Sequence, residues 1–229
     1  MNIEKVEWDS DFFGYKVGKL NVRDELNYNI DLIDFDDYKL VYLFSKHKIQ
    51  NLESLLVDEK VVLNLNLISQ NIEKENNIVA EFKDFSKFPQ LLDLAFQSGV
   101  YSRFKKDDNF VNNEFERLYI KWITNSVVDK KSVVVFIYEL DDKILGFVTV
   151  DKKSDTHASI GLIAVELNSR GQGIGVKLLN QVKRYLLKNG FQKLSLVTQG
   201  DNIPALKLYQ KAGFYIEESS FTYHIWNTK

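Results

Sequence analysis

The chain contains no cysteine, which excludes a disulfide framework, a thiol nucleophile and a thiolate metal site. It has little excess charge, with 30 basic and 32 acidic side chains and a formal net charge of −2. No basic tract of the kind that binds nucleic acid stands out, so we expect no nucleic-acid partner. No apolar run approaches the roughly 20 residues of a membrane-spanning helix, and Met1–Ser10 is polar and acidic, so we expect no membrane partner and a cytoplasmic location.

The sequence does have a sizeable apolar fraction, 45% of 229 residues, which is enough to form a buried core. This length suits one core domain with a smaller appended lobe. The polar and charged segment Asn71–Asn77 separates two regions of different texture and is typical of a linker. We therefore predict a small N-terminal α/β lobe over residues 1–76 and a second domain over residues 77–229.

Hydrophobic periodicity predicts a mixture of strands and helices in both regions. In the first region it predicts strands over Val6–Val22, Lys39–Ser45 and Val61–Ile68, and a short helix over Asn51–Asp58. In the second it predicts strands over Ile78–Phe82, Ser132–Glu139, Lys143–Val150, Ile160–Val165 and Lys193–Thr198, followed by two closing strands. The predicted helices are Ser86–Gln97 with Ser86 as N-cap, Asn112–Val127, one from the glycine-rich turn to Gly190, and Asn202–Ala212. The class is α/β (α+β), a mixed sheet flanked by helices.

A glycine-rich turn follows the apolar strand Ile160–Val165 and the polar turn Glu166–Ser169. Gly171, Gly173 and Gly175 let a ligand approach the backbone, whose N–H groups are free in a first helical turn. Arg170 to Lys177 contains no acid, so the helix dipole is left for an anion. The turn lacks the Lys-Ser or Lys-Thr pair of a P-loop and the G-x-G-x-x-G spacing of a dinucleotide site.

The pattern R-x-x-G-x-G at Arg170, Gly173 and Gly175 is similar to the acetyl-CoA signature of the GCN5-related N-acetyltransferase (GNAT) superfamily. About thirty residues downstream, the segment from Asn202 to Phe214 resembles that superfamily's N-x-x-A-[LI]-x-x-Y-x-x-x-G-F motif. The resemblance implies the GNAT fold over residues 77–229, acetyl-CoA as cosubstrate and no metal. The cofactor-binding residues that it implies are Ile163, Ala164, Val165, Arg170, Gly171, Gln172, Gly173, Ile174, Gly175 and Asn202.

In that superfamily the tyrosine that matches Tyr209 sits beside the coenzyme A sulfur, which makes Tyr209 the candidate catalytic acid. A phenol with a pKa near 10 suits proton donation to a thiolate. Alternatively, Tyr209 flanks a core stripe, and Asn202 either caps its helix or contacts the cofactor. The general base stays unassigned, because His47, His157 and His224 are scattered and Glu166 is typical of a surface turn.

Other segments look like the TDP-fucosamine acetyltransferase family: Trp8–Gly14, Ser102–Phe104, Phe115–Asn125 and Thr198–Gln199. Members of that family transfer acetyl to the 4-amino group of a dTDP-linked 4-amino-4,6-dideoxyhexose, a step in making surface polysaccharide. The resemblance implies a small-molecule nucleotide-sugar substrate, with the N-terminal lobe contributing to its site. Its candidate contacts are Phe12, Phe13, Arg103 and Gln199, of which Arg103 suits a diphosphate. The aromatic pair equally suits core packing, and Arg103 a solvated loop.

Three alternatives to a sugar acetyltransferase remain open at the level of sequence. One is an acetyltransferase of peptides, which would need an open groove in place of an appended lobe. A second is an aminoglycoside acetyltransferase, which would need a strongly acidic pocket that the balanced charge does not indicate. The third is a catalytically silent domain that binds acyl-CoA as a sensor. The sequence also leaves a homodimer open.

Overall fold

The computed structural model describes residues 3–22, 27–32, 35, 37–69 and 78–227. The predicted linker Asn71–Asn77 lies outside these residues. Contacts divide the chain into two compact units, one of Met1–Val61, Gln199–Asp201 and Glu218–Lys229, the other of Val62–Thr198 and Asn202–Glu217. Their limits differ from residues 1–76 and 77–229, because the C-terminal strand contributes to the first unit. The division into two domains at residue 76 stays a prediction.

Strands and helices are interspersed along the chain. The strands are β1 (Glu4–Lys5), β2 (Val17–Val22), β3 (Leu40–Ser45), β4 (Leu56–Asn66), β5 (Val79–Glu81), β6 (Ser132–Leu140), β7 (Lys143–Lys152), β8 (His157–Val165), β9 (Lys193–Gln199) and β10 (Tyr215–Trp226). The helices are α1 (Glu7–Phe13), α2 (Phe88–Ser98), α3 (Arg103–Lys106), α4 (Glu114–Val127), α5 (Ile174–Lys188) and α6 (Ile203–Lys211). Short 3₁₀ turns cover Ile30–Leu32, Gln50–Leu55, Phe85–Lys87 and Leu167–Ser169. The predicted α/β class with a mixed sheet is confirmed.

In the first unit, β2 pairs antiparallel with β1 and parallel with β3, and β3 pairs antiparallel with β10. Its core is a cluster of aliphatic and aromatic side chains from these strands. The cluster includes Leu20, Val22, Val41, Leu43, Ile49, Tyr223 and Ile225. The Tyr223 hydroxyl accepts a hydrogen bond from the buried Ile49 N–H at 2.7 Å, which satisfies a backbone donor inside this core.

In the second unit, β5, β6, β7 and β8 form an antiparallel run, and β9 joins β8 in parallel. Helices cover both faces of this sheet. Phe147 packs with the core cluster that contains Leu91 of α2 and Ile123 of α4. Its neighbour Gly146 faces the other way, with the Ile174 side chain of α5 3.0 Å from the position of a Cβ. Because adjacent strand residues point to opposite faces, α2 and α4 cover one face and α5 the other.

The predicted strand over Val6–Val22 is wrong for its first half, because Glu7–Phe13 is helical. Trp8 and Phe12, one helical turn apart, stack with ring centroids separated by 5.0 Å. Gly14 ends the helix in the left-handed conformation at φ 81°. The alternation of apolar and polar residues near its start favours a strand, although a glycine directly after Phe13 is typical of the end of a helix.

Other predicted boundaries also change. Asp84, and not Ser86, caps the turn before α2, since its carboxylate accepts from the Ser86 N–H at 3.0 Å. The helix predicted over Asn51–Asp58 is a 3₁₀ turn that ends at Leu55, and β4 begins at the next residue, Leu56. The two predicted closing strands are one, β10, because no glycine, proline, asparagine or aspartate interrupts Tyr215–Trp226. No described helix is long and apolar enough to span a membrane.

Gly99, at the end of α2, lets α4 approach closely. A Cβ on Gly99 would overlap the Tyr119 ring and lie 2.6 Å from Phe115 Cε2. Gly99→Ala should therefore lower the free energy of unfolding by about 1–3 kcal/mol, as overpacking does, when measured by urea denaturation. Asp93→Ala, on the exposed face of α2, is the control and should change it by less than about 0.5 kcal/mol. Equal losses in the two variants would contradict this packing.

Candidate active site

The turn between β8 and α5 depends on two glycines. Gly171 and Gly173 have φ of 79° and 77°, in the left-handed region where other residues are strained. A Cβ on either would have no neighbouring atom within 4 Å. The glycines are therefore required by the backbone conformation, and the space in front of the turn is open.

Side chains hold this turn in place. The Glu166 carboxylate accepts hydrogen bonds from Ser169 Oγ at 3.0 Å and Asn168 Nδ2 at 3.2 Å. Arg170 Nε donates to Val165 O at 3.1 Å, and Gln97 Oε1 accepts from Leu167 N at 3.1 Å. Glu166 thus stabilises the turn, a role that the sequence did not predict.

The first turn of α5 presents free backbone donors. Gly173 is its N-cap, no side chain caps the helix, and its first turn contains no acid. The first helical bond runs from Lys177 N to Gly173 O at 3.1 Å, so the preceding N–H groups have no acceptor within the helix. With the positive end of the helix dipole, these donors form a site suited to a phosphate.

Strand β8 leaves one of its edges unpaired. Along β8 and β9, both described in full, parallel pairing is confined to His157–Ser159 of β8. Beyond this point the Glu166 N–H is directed to β7, where it donates to Leu145 O at 2.9 Å. Because backbone N–H groups alternate in direction along a strand, those of Val165 and Ile163 point away from β7, towards the free edge. An extended ligand could pair with this edge as an added strand would.

The turn, the free edge and α6 line one cavity of about 430 Å³. Of the predicted cofactor-binding residues, all but Gln172 line it; Gln172 is exposed within the same turn. The full lining is Gln97, Ser98, Val100, Tyr101, Ile163, Ala164, Val165, Arg170, Gly171, Gly173, Ile174, Gly175, Val176, Asn202, Pro204, Ala205, Lys207, Leu208, Tyr209 and Lys211. Its charged members, Arg170, Lys207 and Lys211, are all basic, which favours a polyanionic ligand.

Sequence reasoning missed the contributions of α2 and of the α6 lysines. Lys207 and Lys211 lie one helical turn apart on the helix that was predicted after Asn202. Their spacing could therefore have indicated that both lie on one face of this helix. Gln97 and Tyr101 carry no comparable signal, because only tertiary packing brings the end of α2 to the cavity.

Asn202 caps α6, and its contact with the cofactor stays a prediction. Its Oδ1 accepts a hydrogen bond from Ala205 N at 3.3 Å and so caps α6, and the residue also lines the cavity. Gly175 is a packing glycine as well as a lining residue. A Cβ there would lie 2.9 Å from Leu208 Cδ2, so the absence of a side chain lets α5 and α6 approach each other.

Tyr209 lines the cavity from α6 and is 5% exposed. Its ring packs edge-on against Phe214 with centroids 5.9 Å apart, which fixes the plane of the phenol. Burial raises the pKa of Tyr209 above its usual value near 10, because desolvation disfavours the phenolate. The phenol therefore keeps its proton throughout the neutral range and can donate it. Packing and proton donation are compatible roles for this residue.

The histidines lie elsewhere. His157 Nε2 is 2.8 Å from Ser195 Oγ, and burial together with nearby lysines lowers the pKa of His157. His224 is buried in the first unit against the Tyr42 ring at 5.0 Å, and His47 is exposed. None of the three is among the lining residues of the cavity. Within the described residues there is no group of three or more His, Cys, Asp or Glu side chains that could hold a metal ion.

The predicted substrate-binding residues are not brought together in the cavity. Phe12 and Phe13 belong to the first unit, where Phe12 stacks on Trp8 and the buried Phe13 packs against Tyr15 at 5.7 Å. Arg103 begins α3 in the second unit, with its guanidinium 4.8 Å from the centre of the Phe104 ring. Gln199 ends β9. Their contacts with a substrate stay a prediction.

Comparison with known proteins identifies relatives of this chain. The family model described as acetyltransferase (GNAT) family matches residues 91–214. The chain is 28% identical over 176 residues to dTDP-fucosamine acetyltransferase of Escherichia coli O6:H1, covering 76% of this chain and 72% of the relative. It is 28% identical over 127 residues to streptothricin acetyltransferase A of Bacillus subtilis, covering 53% and 69%. A GCN5-related N-acetyltransferase from Sphaerobacter thermophilus has the same fold, with a TM-score of 0.58 at 14% identity over 82% of this chain and 59% of that one.

Two left-handed glycines provide a matched test of the turn. Gly173 and Gly190 have φ of 77° and 81°, and a Cβ on either meets no atom within 4 Å. Gly173→Ala and Gly190→Ala should each lower the free energy of unfolding by about 1 kcal/mol, because both strain the same backbone conformation. Only Gly173→Ala places a methyl group where a phosphate would approach the N–H groups, so it alone should weaken acetyl-CoA binding, by at least about 10-fold in calorimetry. Equal affinities in the two variants would contradict an anion site at this turn.

Proposed function

The chain belongs to the acetyltransferase (GNAT) family, and from that premise we propose that it acetylates the amino group of a dTDP-linked amino-dideoxy sugar, a 4-amino-4,6-dideoxyhexose. It is an acetyl-CoA-dependent N-acetyltransferase. Its acetyl donor supplies an acyl group already activated as a thioester. The protein must then hold donor and acceptor together, stabilise the charge that develops on the acyl oxygen and manage two protons.

The cavity fits acetyl-CoA by charge and by hydrogen-bonding pattern. The uncapped first turn of α5 would hold the pyrophosphate, and Arg170, Lys207 and Lys211 would add positive charge around the phosphates. The N–H groups of Ile163 and Val165 at the free edge of β8 would pair with the amides of the pantetheine arm. One such N–H could donate to the developing oxyanion.

Tyr209 is the proposed general acid for the leaving thiolate. Tyr209 lies on α6 and lines the cavity. Because burial raises its pKa, the phenol is protonated at neutral pH. Proton transfer from the phenol to sulfur replaces a thiolate leaving group by a neutral thiol, which makes reversal of the reaction slower. Tyr209 therefore acts at the end of the transfer, after the acceptor nitrogen has bonded to carbon.

The choice of a nucleotide sugar rests on one observation. Similarity to dTDP-fucosamine acetyltransferase extends over 76% of this chain, well beyond the segment that the family model matches. Arg103, at the start of α3, would pair with the substrate's diphosphate, since its planar guanidinium matches phosphate oxygens. Streptothricin, a cationic antibiotic, is the second candidate substrate, because a relative named for it is equally identical over 53% of the chain.

Tyr209→Phe should lower kcat by about 100-fold or more, because the variant keeps the ring and loses the proton donor. The affinity for acetyl-CoA should change by less than about 2-fold, since the ring still packs against Phe214. Tyr185→Phe is the matched control: its hydroxyl donates to Val133 O at 3.4 Å, and it does not line the cavity. The release of free thiol, followed by stopped-flow or at steady state, measures kcat for both variants. A normal kcat in Tyr209→Phe would remove Tyr209 from the mechanism.

The substrate is tested by thiol release from acetyl-CoA with a panel of amines. The panel contains dTDP-4-amino-4,6-dideoxygalactose, its 4-epimer, a matching 3-amino sugar, streptothricin, an aminoglycoside and a lysine peptide. We expect kcat/KM for one 4-amino sugar to exceed that for every other amine by at least about 100-fold, the discrimination that complementary polar contacts allow. A preference for streptothricin, the aminoglycoside or the peptide would refute the proposal and identify the alternative class. Binding of acetyl-CoA without turnover of any amine would favour the sensor.

A further inference from the structure

We propose that Asp151 binds the amine of the acceptor and accepts the proton that the nitrogen loses during transfer. The inference rests on the proposed acetylation of an amine and assigns the general base that sequence patterns left open. It begins from an irregularity in β8. The pairing of β7 with β8 shifts register between Val148 and Val150, so β8 bulges around Gly161 and Leu162.

The bulge exposes Gly161 next to two polar side chains. A Cβ on Gly161 would lie 2.9 Å from Asp151 Oδ2 and 2.8 Å from Thr149 Oγ1, so these two side chains pack directly against the Gly161 backbone and only glycine fits there. Gly161 itself is exposed, and Asp151 is partly exposed. Thr149 Oγ1 accepts from the Leu162 N–H at 2.8 Å, which fixes the bulge. An acceptor that reaches the exposed backbone of Gly161 would therefore find a carboxylate oxygen beside it.

The Asp151 carboxylate is held in a defined orientation. Ser132 Oγ donates to Oδ1 at 2.6 Å, and the two residues are direct partners across β6 and β7. The other oxygen, Oδ2, is the one beside Gly161. One oxygen is therefore anchored, while no hydrogen bond from the described residues holds the other, an arrangement typical of a carboxylate that binds or takes a proton from a ligand.

The location matches the acyl end of the donor. The phosphate-binding turn follows β8, and the free N–H groups of Val165 and Ile163 come before it along the strand. An arm that runs from the phosphates along this edge passes Val165, then Ile163, and its thioester end comes next to Gly161. Asp151 therefore lies beside the point where an attacking nitrogen must approach.

Asp151 also belongs to a row of polar side chains that crosses the sheet. Cross-strand partners place Ser132, Asp151, Ser159 and Ser195 next to one another on β6, β7, β8 and β9. The row lies at the level where β8 and β9 stop pairing. Ser132 is engaged with Asp151, Ser195 is engaged with His157, and Ser159 is buried, so Asp151 Oδ2 is the polar atom of this row that is left to contact an acceptor.

The chemical step balances with the groups named. The neutral amine forms the N–C bond with the acyl carbon, and its N–H becomes strongly acidic as positive charge develops on nitrogen. Asp151 Oδ2 takes this proton while the C–S bond breaks and Tyr209 protonates the sulfur. The products are the acetamide and free thiol, and exchange with water restores Asp151 and Tyr209 to their starting protonation states.

The test is Asp151→Asn, which keeps shape and removes the charge. We measure kcat/KM with the panel amine that the wild type acetylates fastest, or with methylamine at high concentration if none is acetylated. The variant should lose at least about 100-fold in kcat/KM, while its melting temperature and its affinity for acetyl-CoA stay unchanged. Asp151→Glu should recover part of the loss. The control is Asp155→Asn. Asp155 is an exposed acid in the turn after β7, where it pairs with Lys152, and this variant should have the kcat/KM of the wild type.

Calorimetry provides a readout that does not depend on turnover. In the absence of acetyl-CoA, Asp151→Asn should weaken binding of that amine and leave binding of its hydroxyl analogue unchanged. Turnover of a different panel amine by the wild type would refute the sugar proposal alone, because the Asp151 comparison would proceed with that amine. Wild-type rates in Asp151→Asn, or equal loss for amine and hydroxyl analogue, would refute the role of Asp151. Silence of the wild type with every amine would refute both.

Discussion

The candidate site depends on the early separation of β8 from β9. Backbone N–H and C=O groups require partners, and a strand inside a sheet normally finds them on both sides. Here the parallel pairing is confined to His157–Ser159, and the rest of β8 keeps one edge free. The opening is supported by neighbouring elements and not by strain in β8 itself: β7 pairs with the other edge up to Val165, and the Glu166 turn is anchored by hydrogen bonds to Gln97 and within the turn. The fold thus creates a donor-rich edge that a ligand can complete.

Three features of different origin then meet along this one strand. Its C-terminal end leads into a turn of left-handed glycines and an uncapped helix, which attracts phosphate. Its middle offers backbone N–H groups to an extended ligand. Its bulge at Gly161 lies directly beside the Asp151 carboxylate. A donor molecule with phosphates at one end and a thioester at the other matches this order, so the position of each chemical role follows from its distance along β8.

Local sequence predicted most of the candidate cofactor site and little of the proposed acceptor site. Glycines at special backbone angles and a helix without an N-terminal acid are local features, so Gly171, Gly173 and the start of α5 were predictable. Asn202, which caps α6, and Tyr209, which lies on α6, were implied by the resemblance of this segment to the GNAT motif. Asp151 could not be predicted, because its relation to Gly161 depends on the register of β7 with β8 and on a bulge that no residue type announces. Likewise, α1 was predicted as strand because Val6 and Trp8 alternate with polar residues, whereas Gly14 and the stacking of Trp8 on Phe12 favour helix.

Amide hydrogen exchange at single-residue resolution tests the central claim, that the free edge of β8 and the first turn of α5 form the binding surface for the acetyl donor. We expect coenzyme A to slow exchange at Ile163 and Val165 and at Ile174–Val176, because ligand acceptors replace water at these N–H groups. Exchange at Ala164, whose N–H is directed to β7, should change far less, which makes it an internal reference. Protection confined to other segments, with the Ile163 and Val165 amides exchanging as fast as in the free protein, would show that the donor does not bind along this edge.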